Sequence, residues 1–188
     1  MAPLLLIIIL LALVTESFST SWYSGAIHKK LALKLPLKLP FALAIIKSLM
    51  MALGIYIGNR VNGALPSHFT IIAYSLMFIV SLKIIWESMR FAPEERIIMI
   101  DSTKTLLLLS LAGSFNTFFI SICLGLIGVN ILNPCTFTLT TTIVFALAAV
   151  NLGAKYGLRP FIRISGIVAG LLITILSLRF IILYFISA

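Results

Sequence analysis

PLLLIIILLALVTESFSTSWYSG (residues 3–25) and TLLLLSLAGSFNTFFISICLG (residues 105–125) carry the pattern that decides the fold. Each begins as an apolar run and then shows the same polar spacing. Glu16-Ser17-Phe18-x-x-Ser21-x-x-x-Gly25 is answered, 100 residues on, by Asn116-Thr117-Phe118-x-x-Ser121-x-x-x-Gly125. A second echo, Ile57-Gly58-Asn59-Arg60 against Leu152-Gly153-Ala154-Lys155, extends the similarity to a three-helix unit.

The composition around these stretches is that of a membrane protein. Of 188 residues, 61% are hydrophobic and 10% charged, where soluble domains have roughly 45–50% and about 25%. With a mean hydropathy of +1.19, too few polar side chains remain to cover a globular surface in water, and disorder is excluded for the same reason. The net charge of +9 does not indicate nucleic-acid binding, because the basic residues lie between apolar runs instead of forming a basic face.

Six stretches approach the ~20 residues that cross the hydrocarbon core as a helix: 3–23, 41–59, 69–87, 105–127, 133–152 and 164–186. No Lys or Arg precedes the first, so it reads as a span and not as a cleaved secretory leader. Ten of the fourteen basic residues fall in alternate connections: Lys29, Lys30, Lys34 and Lys38; Arg90, Arg96 and Lys104; Lys155, Arg159 and Arg163. The positive-inside rule places these connections in the cytoplasm and both termini outside. Trp22, Trp86 and Tyr156 fall at the cytoplasmic ends of their spans, where an aromatic belt is expected. Residues 29–38, KKLALKLPLK, read as a loop obeying the charge rule, since Pro36 and Pro40 interrupt any amphipathic helix there.

The expected fold class is therefore an all-α membrane protein, one membrane domain over residues 1–188. Its six transmembrane helices form two three-helix halves, 1–90 and 104–188. Three spans per half make the second half enter the membrane from the opposite side, so the repeats are inverted, an architecture of secondary transporters with a site near the midplane.

Glu16, Lys47, Lys83, Glu87 and Arg179 are ionisable residues inside spans, where a charge costs at least ~2.5–3.5 kcal/mol at the bilayer centre. Lys83 and Glu87 form an i,i+4 pair near a helix end and read as anchors, as does Arg179. Glu16 and Lys47 lie at similar depth, about 4 Å from the midplane at ~1.5 Å per residue, so a buried pair is expected between helices 1 and 2. Ser19 and Thr20 share the face of Glu16. Glu16, Asn116, Lys47, Ser19, Thr20, Ser21 and Ser121 are the candidate substrate or ion pathway. Thr136, Thr138, Thr140, Thr141 and Thr142 in helix 5, and Gly166 and Gly170 in helix 6, read as packing positions.

Other chemistry finds no support. His28 and His68 fall on opposite sides of the membrane, Cys123 and Cys135 lie twelve residues apart, too far for a disulfide along one helix, and no P-loop, zinc motif or nucleophile elbow occurs. No cofactor, no catalytic residue and no enzymatic activity are expected.

The order of these motifs resembles the MntP family of manganese efflux pumps, small six-helix bacterial inner-membrane proteins of the LysE-like transporter superfamily. Thr15-Glu16-Ser17-Phe18 stands where that family has Asp-Ala-Phe. Ser114-Phe115-Asn116-Thr117 stands where it has Ser-Leu-Asp-Ala, and Lys83-Ile84-Ile85-Trp86-Glu87 resembles the end of its helix 3. The resemblance implies a multi-pass inner-membrane transporter whose transported ion is Mn2+, with Glu16 and Asn116 as metal ligands. Three positions depart from the family: its helix 1 aspartate is Glu16, a tolerable change, its helix 4 aspartate is Asn116, and an acidic helix 2 position is Lys47. The paired charges of Lys47 and Glu16 leave two other readings open, export of an amino acid or other zwitterion, and a non-transporting scaffold or partner subunit held together by the pair.

The charge asymmetry gives a direct test. Reporter fusions after Ala188 are expected to register outside the cytoplasm, and a cytoplasmic C-terminus would overturn the orientation.

Overall fold

The computed structural model describes residues 3–30, 38–64, 70–90, 103–157 and 161–187. Every element is helical: α1 (Pro3–Lys30), α2 (Lys38–Ala64), α3 (Thr70–Arg90), α4 (Thr103–Ala112), α5 (Phe115–Leu126), α6 (Leu132–Tyr156) and α7 (Phe161–Ser187). Five of them, α1, α2, α3, α6 and α7, are long and apolar enough to cross a membrane. Their prolines sit where helices tolerate them, Pro3 at the first position of α1, Pro40 and Pro134 at the third positions of α2 and α6, whose N–H groups lack intrahelical partners anyway. Gly157, at φ +72°, ends α6 and returns its N–H to the Gly153 carbonyl at 2.9 Å. The loop reading of residues 29–38 falls largely on residues outside those described.

The fourth span is not the single helix expected over 105–127. It breaks at Gly113 and Ser114 into α4 and α5. The Ser114 N–H bonds three residues back, to the Leu111 carbonyl at 2.9 Å, and the regular spacing resumes with the Phe118 N–H on the Ser114 carbonyl at 3.0 Å. The Ser114 hydroxyl donates to the Ser110 carbonyl at 2.7 Å. A glycine followed by a serine that competes for backbone partners is a physical cause for such a break.

Helices related by sequence offset pack on matching partners. α1 lies along α6 and also touches α7; α5 lies along α2 and also touches α3; α3 pairs with α7 and α2 with α6, while α1 and α2 scarcely meet. Glycines set the two closest crossings. A β-carbon at Gly25 would strike the Val150 carbonyl oxygen and one at Gly153 the Trp22 carbonyl oxygen. In the other crossing, Gly58 faces the Ile122 carbonyl oxygen and Gly125 the Ile55 carbonyl oxygen. All four approaches are under 3.0 Å, and in each the struck carbonyl lies three residues before the partner glycine. The same arrangement thus occurs twice, at positions 100 and 95 residues apart. Because lipid tails are as apolar as leucine, close backbone packing of this kind is what can hold membrane helices together. Gly166 and Gly170 likewise bring α7 against Ser88 and Ile85 of α3.

A buried cluster including Leu10, Leu13, Met51, Ile55, Met77 and Leu124 fills the bundle. Ile45, Leu49 and Leu53 of α2 and Ile175, Leu178 and Ile182 of α7 point outward. Trp22 is not the interfacial anchor expected of it: it is buried, and its indole N–H donates to the Gly157 carbonyl at 2.9 Å. Trp86, Tyr156 and Arg179 are exposed, as anchors should be. On α6, Thr136, Thr140 and Thr141 bond back to carbonyls of their own helix, and Thr138 donates to the Met51 sulfur at 3.1 Å.

The crossings predict selective intolerance of added volume. Gly58→Val and Gly153→Val are each expected to destabilise by at least ~2 kcal/mol, whereas Gly63→Val, with nothing within 4 Å, should stay within ~0.5 kcal/mol of the parent. Thermal unfolding in detergent measures all three.

Candidate functional site

The break in the fourth span positions the polar centre. It makes Asn116 the second residue of a new helix, α5, whose unsatisfied N–H groups carry partial positive charge. α1 brings Glu16 opposite this end. The Asn116 amide Nδ2 donates to Glu16 Oε1 at 3.0 Å, so the two positions 100 residues apart in sequence meet directly. The carboxylate thus faces both an amide donor and the favourable end of a helix.

A third helix completes the network. The Lys83 ammonium of α3 donates to Asn116 Oδ1 at 2.8 Å and lies 3.9 Å from a Glu87 carboxylate oxygen. The chain of contacts runs Glu87, Lys83, Asn116, Glu16 across α3, α5 and α1. It borders a cavity of about 30 Å³ lined by Thr15, Glu16, Ser19, Glu87, Ser88 and Asn116 among others, room for a water or two. Gly166 and Ala169 of α7 form the remaining wall and supply no polar atom there from their side chains. Ser19 donates to the Thr15 carbonyl at 3.0 Å and lies 3.4 Å from the Ser165 hydroxyl.

Lys47 lies elsewhere. It is fully buried, and its ammonium donates to the Leu13 carbonyl at 2.6 Å and to the Ser17 hydroxyl at 2.9 Å. The expected pair with Glu16 is therefore not a direct one: Lys47 is held by the backbone and hydroxyl of α1, with Glu16 near enough to act on it electrostatically. Lys47 does not line the cavity, which removes the geometric basis for seating a zwitterion between Lys47 and Glu16.

Of the remaining predicted positions, Thr20 bonds to the Glu16 carbonyl at 3.1 Å, Ser121 bonds to the Thr117 carbonyl of its own helix, and Ser21 is buried without a hydrogen-bond partner among the described residues. None of the three lines the cavity. Sequence reasoning assigned Lys83 and Glu87 to anchoring and overlooked Ser88 and Ser165. The available signal was the like spacing of Lys83 and Glu87 on one helix face; their partner on α5 was not visible. Cys123 and Cys135 are free thiols. Among the described residues no group of three His, Cys, Asp or Glu side chains is arranged to hold a metal, so any cation here must draw on amide, hydroxyl or carbonyl oxygens beside carboxylates.

Residues 30–181 match the model of the family described as "putative manganese efflux pump". The chain belongs to the MntP family. Its relatives include the protein named putative manganese efflux pump MntP of Methanocorpusculum labreanum, 27% identical over 180 residues and covering 95% of each chain. The same name is carried by a protein of Saccharophagus degradans, 28% identical over 177 residues (93% of this chain, 96% of the relative). A third, from Methanobrevibacter smithii, is 27% identical over 152 residues, covering 81% of this chain and 82% of the relative. No solved structure matches. The family match begins at residue 30, so α1 and its Glu16 lie before it, and the longer alignments to relatives are what take in nearly the whole chain.

The arrangement of the two buried charges predicts coupling through α1. In a double-mutant cycle of Glu16→Gln and Lys47→Met, thermal unfolding should reveal an interaction of about 1 kcal/mol or more. Strict additivity would mean that the two charges do not sense each other.

Proposed function

We propose that this MntP-family chain exports manganese, or a similarly hard divalent cation, across the cytoplasmic (inner) membrane, and that Glu16 and Asn116 are its first ligands. The observation that carries this is the Glu16–Asn116 contact at 3.0 Å on the wall of a cavity inside the bundle, at the two positions where the family's motifs carry aspartates. A hard cation takes oxygen ligands, and Glu16 Oε1, Asn116 Oδ1 and the hydroxyls of Thr15 and Ser19 supply that chemistry.

Lys83 reconciles the site with a cation. It now holds Asn116 Oδ1, which a metal would need, and its ammonium would repel the metal. Its side chain is 56% exposed and Glu87 stands 3.9 Å away as an alternative partner. Arrival of a divalent cation at Glu16 therefore favours transfer of Lys83 to Glu87, which frees Asn116 Oδ1 to turn inward.

The two halves, 1–90 and 104–188, are inverted repeats in this proposal, supported by the matching glycine crossings and by the direct meeting of Glu16 with Asn116. With both termini outside, Ser19 of α1, Glu87 and Ser88 of α3 and Gly166 of α7 all lie on the cytoplasmic side of Glu16. Ala12, Leu13 and Thr15, which also line the cavity, lie on the outer side of Glu16, so the cavity surrounds the depth of Glu16 inside the bundle.

Manganese flux in vesicles of reconstituted protein tests the proposal. Glu16→Gln should abolish transport, and Asn116→Asp, which adds a carboxylate, should raise manganese affinity about tenfold, equivalent to ~1.4 kcal/mol. Transport unaffected by Glu16→Gln would overturn the assignment.

A further inference from the structure

Lys47 marks a place where the protein stabilises one positive charge away from water. The Leu13 carbonyl and the Ser17 hydroxyl hold its ammonium in full burial. The offsets that relate the glycine crossings, 100 residues for the first and fourth spans and 95 for the second and fifth, carry Leu13 to Gly113, Ser17 to Thr117 and Lys47 to Thr142. The second half thus repeats the carbonyl and the hydroxyl but replaces the long cationic side chain with a short neutral one.

Two observations independent of the offsets fall on these same residues. The hydroxyls of Thr117 and Thr142 are fully buried, and neither has a hydrogen-bond partner among the described residues. On the same helix as Thr142, the more exposed Thr136, Thr140 and Thr141 bond back to their own carbonyls, so the lack of such a bond at Thr142 is a local feature and not a habit of α6. A buried hydroxyl without a partner is costly and calls for one. The second observation is the break in the fourth span. Gly113 lies in it, where the bonding ladder is interrupted and the carbonyl end of α4 bears partial negative charge. The Ser110 hydroxyl, one turn earlier, is likewise buried and without a partner among the described residues.

We propose that the Gly113 carbonyl and the Thr117 and Thr142 hydroxyls bind a small monovalent cation of the sodium class, which occupies in the second half the position that the Lys47 ammonium occupies in the first. The charge follows from the ligands. All three are neutral oxygens, which suit a single charge, whereas a hard divalent ion wants anionic oxygens. Unwound backbone and half-helix carbonyl ends are where membrane transporters place such ions. Thr117 adjoins Asn116 in the first turn of α5, so the bound ion fixes the helix end that presents Asn116 to Glu16 and thereby couples the two sites.

The site rests on the repeat relation proposed above, which reporters placed before each half, near residues 1 and 100, test separately by falling on opposite sides of the membrane, and it does not depend on the cargo. The full chain, purified without manganese, is unfolded thermally in sodium chloride and in choline chloride at equal ionic strength. Sodium is expected to raise Tm saturably over choline. Thr117→Val and Thr142→Val, which keep the shape and remove the hydroxyl, should weaken the apparent sodium affinity at least about tenfold, while Thr136→Val, on an exposed face, leaves it unchanged. Thr142→Lys should supply a tethered ammonium and remove the sodium response while keeping the fold; if that variant does not fold, Thr142→Val and Thr142→Ala decide. Equal melting in the two salts, or a sodium response that persists in Thr142→Val, would overturn the site.

Discussion

Backbone approaching backbone at four glycines is the constraint on which the rest of this bundle depends. Gly25 against Val150 and Gly153 against Trp22 lock α1 to α6; Gly58 against Ile122 and Gly125 against Ile55 lock α2 to α5. Each crossing joins a helix of the first half to one of the second. α1 and α2, adjacent in sequence, hardly touch, so neither half is a packed body alone. The polar centre inherits its position from this arrangement, since Glu16 reaches Asn116 only because α1 and α5 are each pinned to a neighbour that holds them face to face.

The break at Gly113 and Ser114 does a different task. A continuous helix would place Asn116 in mid-ladder with its backbone satisfied. The break makes it part of a helix start, and the carboxylate of Glu16 gains both an amide hydrogen bond and a favourable helix dipole. In a low-dielectric interior both features favour keeping the Glu16 carboxylate inside an apolar bundle.

Much of this was legible in the residues. Apolar runs near 20 residues long gave the spans, and the echo of Glu16 and Gly25 in Asn116 and Gly125 pointed to a contact that the structure contains. Depth could be counted along each helix. Rotation about the helix axis could not, because an almost uniformly apolar span has no strong polar face to orient it. That is why Lys47 looked like the partner of Glu16, when its ammonium lands on Leu13 and Ser17. It is also why Lys83 passed for a surface anchor, and why Trp22 was assigned to the interface. The break in the fourth span was missed because Gly113 and Ser114 are each tolerated in helices, and only the interruption of the ladder distinguishes them.

The two tryptophans of the chain end in opposite surroundings. Trp22 is buried, hydrogen-bonded to the last residue of the α6 cap and stacked at 6.5 Å on Tyr156, while Trp86 is 67% exposed on the outer face of α3. Indole emission responds to polarity and to contact quenchers, so one chromophore reads the lipid and the other reads the seam between α1 and α6. Brominated acyl chains would dim Trp86 and leave Trp22 bright. A Trp86→Phe protein would then carry a single tryptophan, at the joint that any rocking of one half against the other must flex.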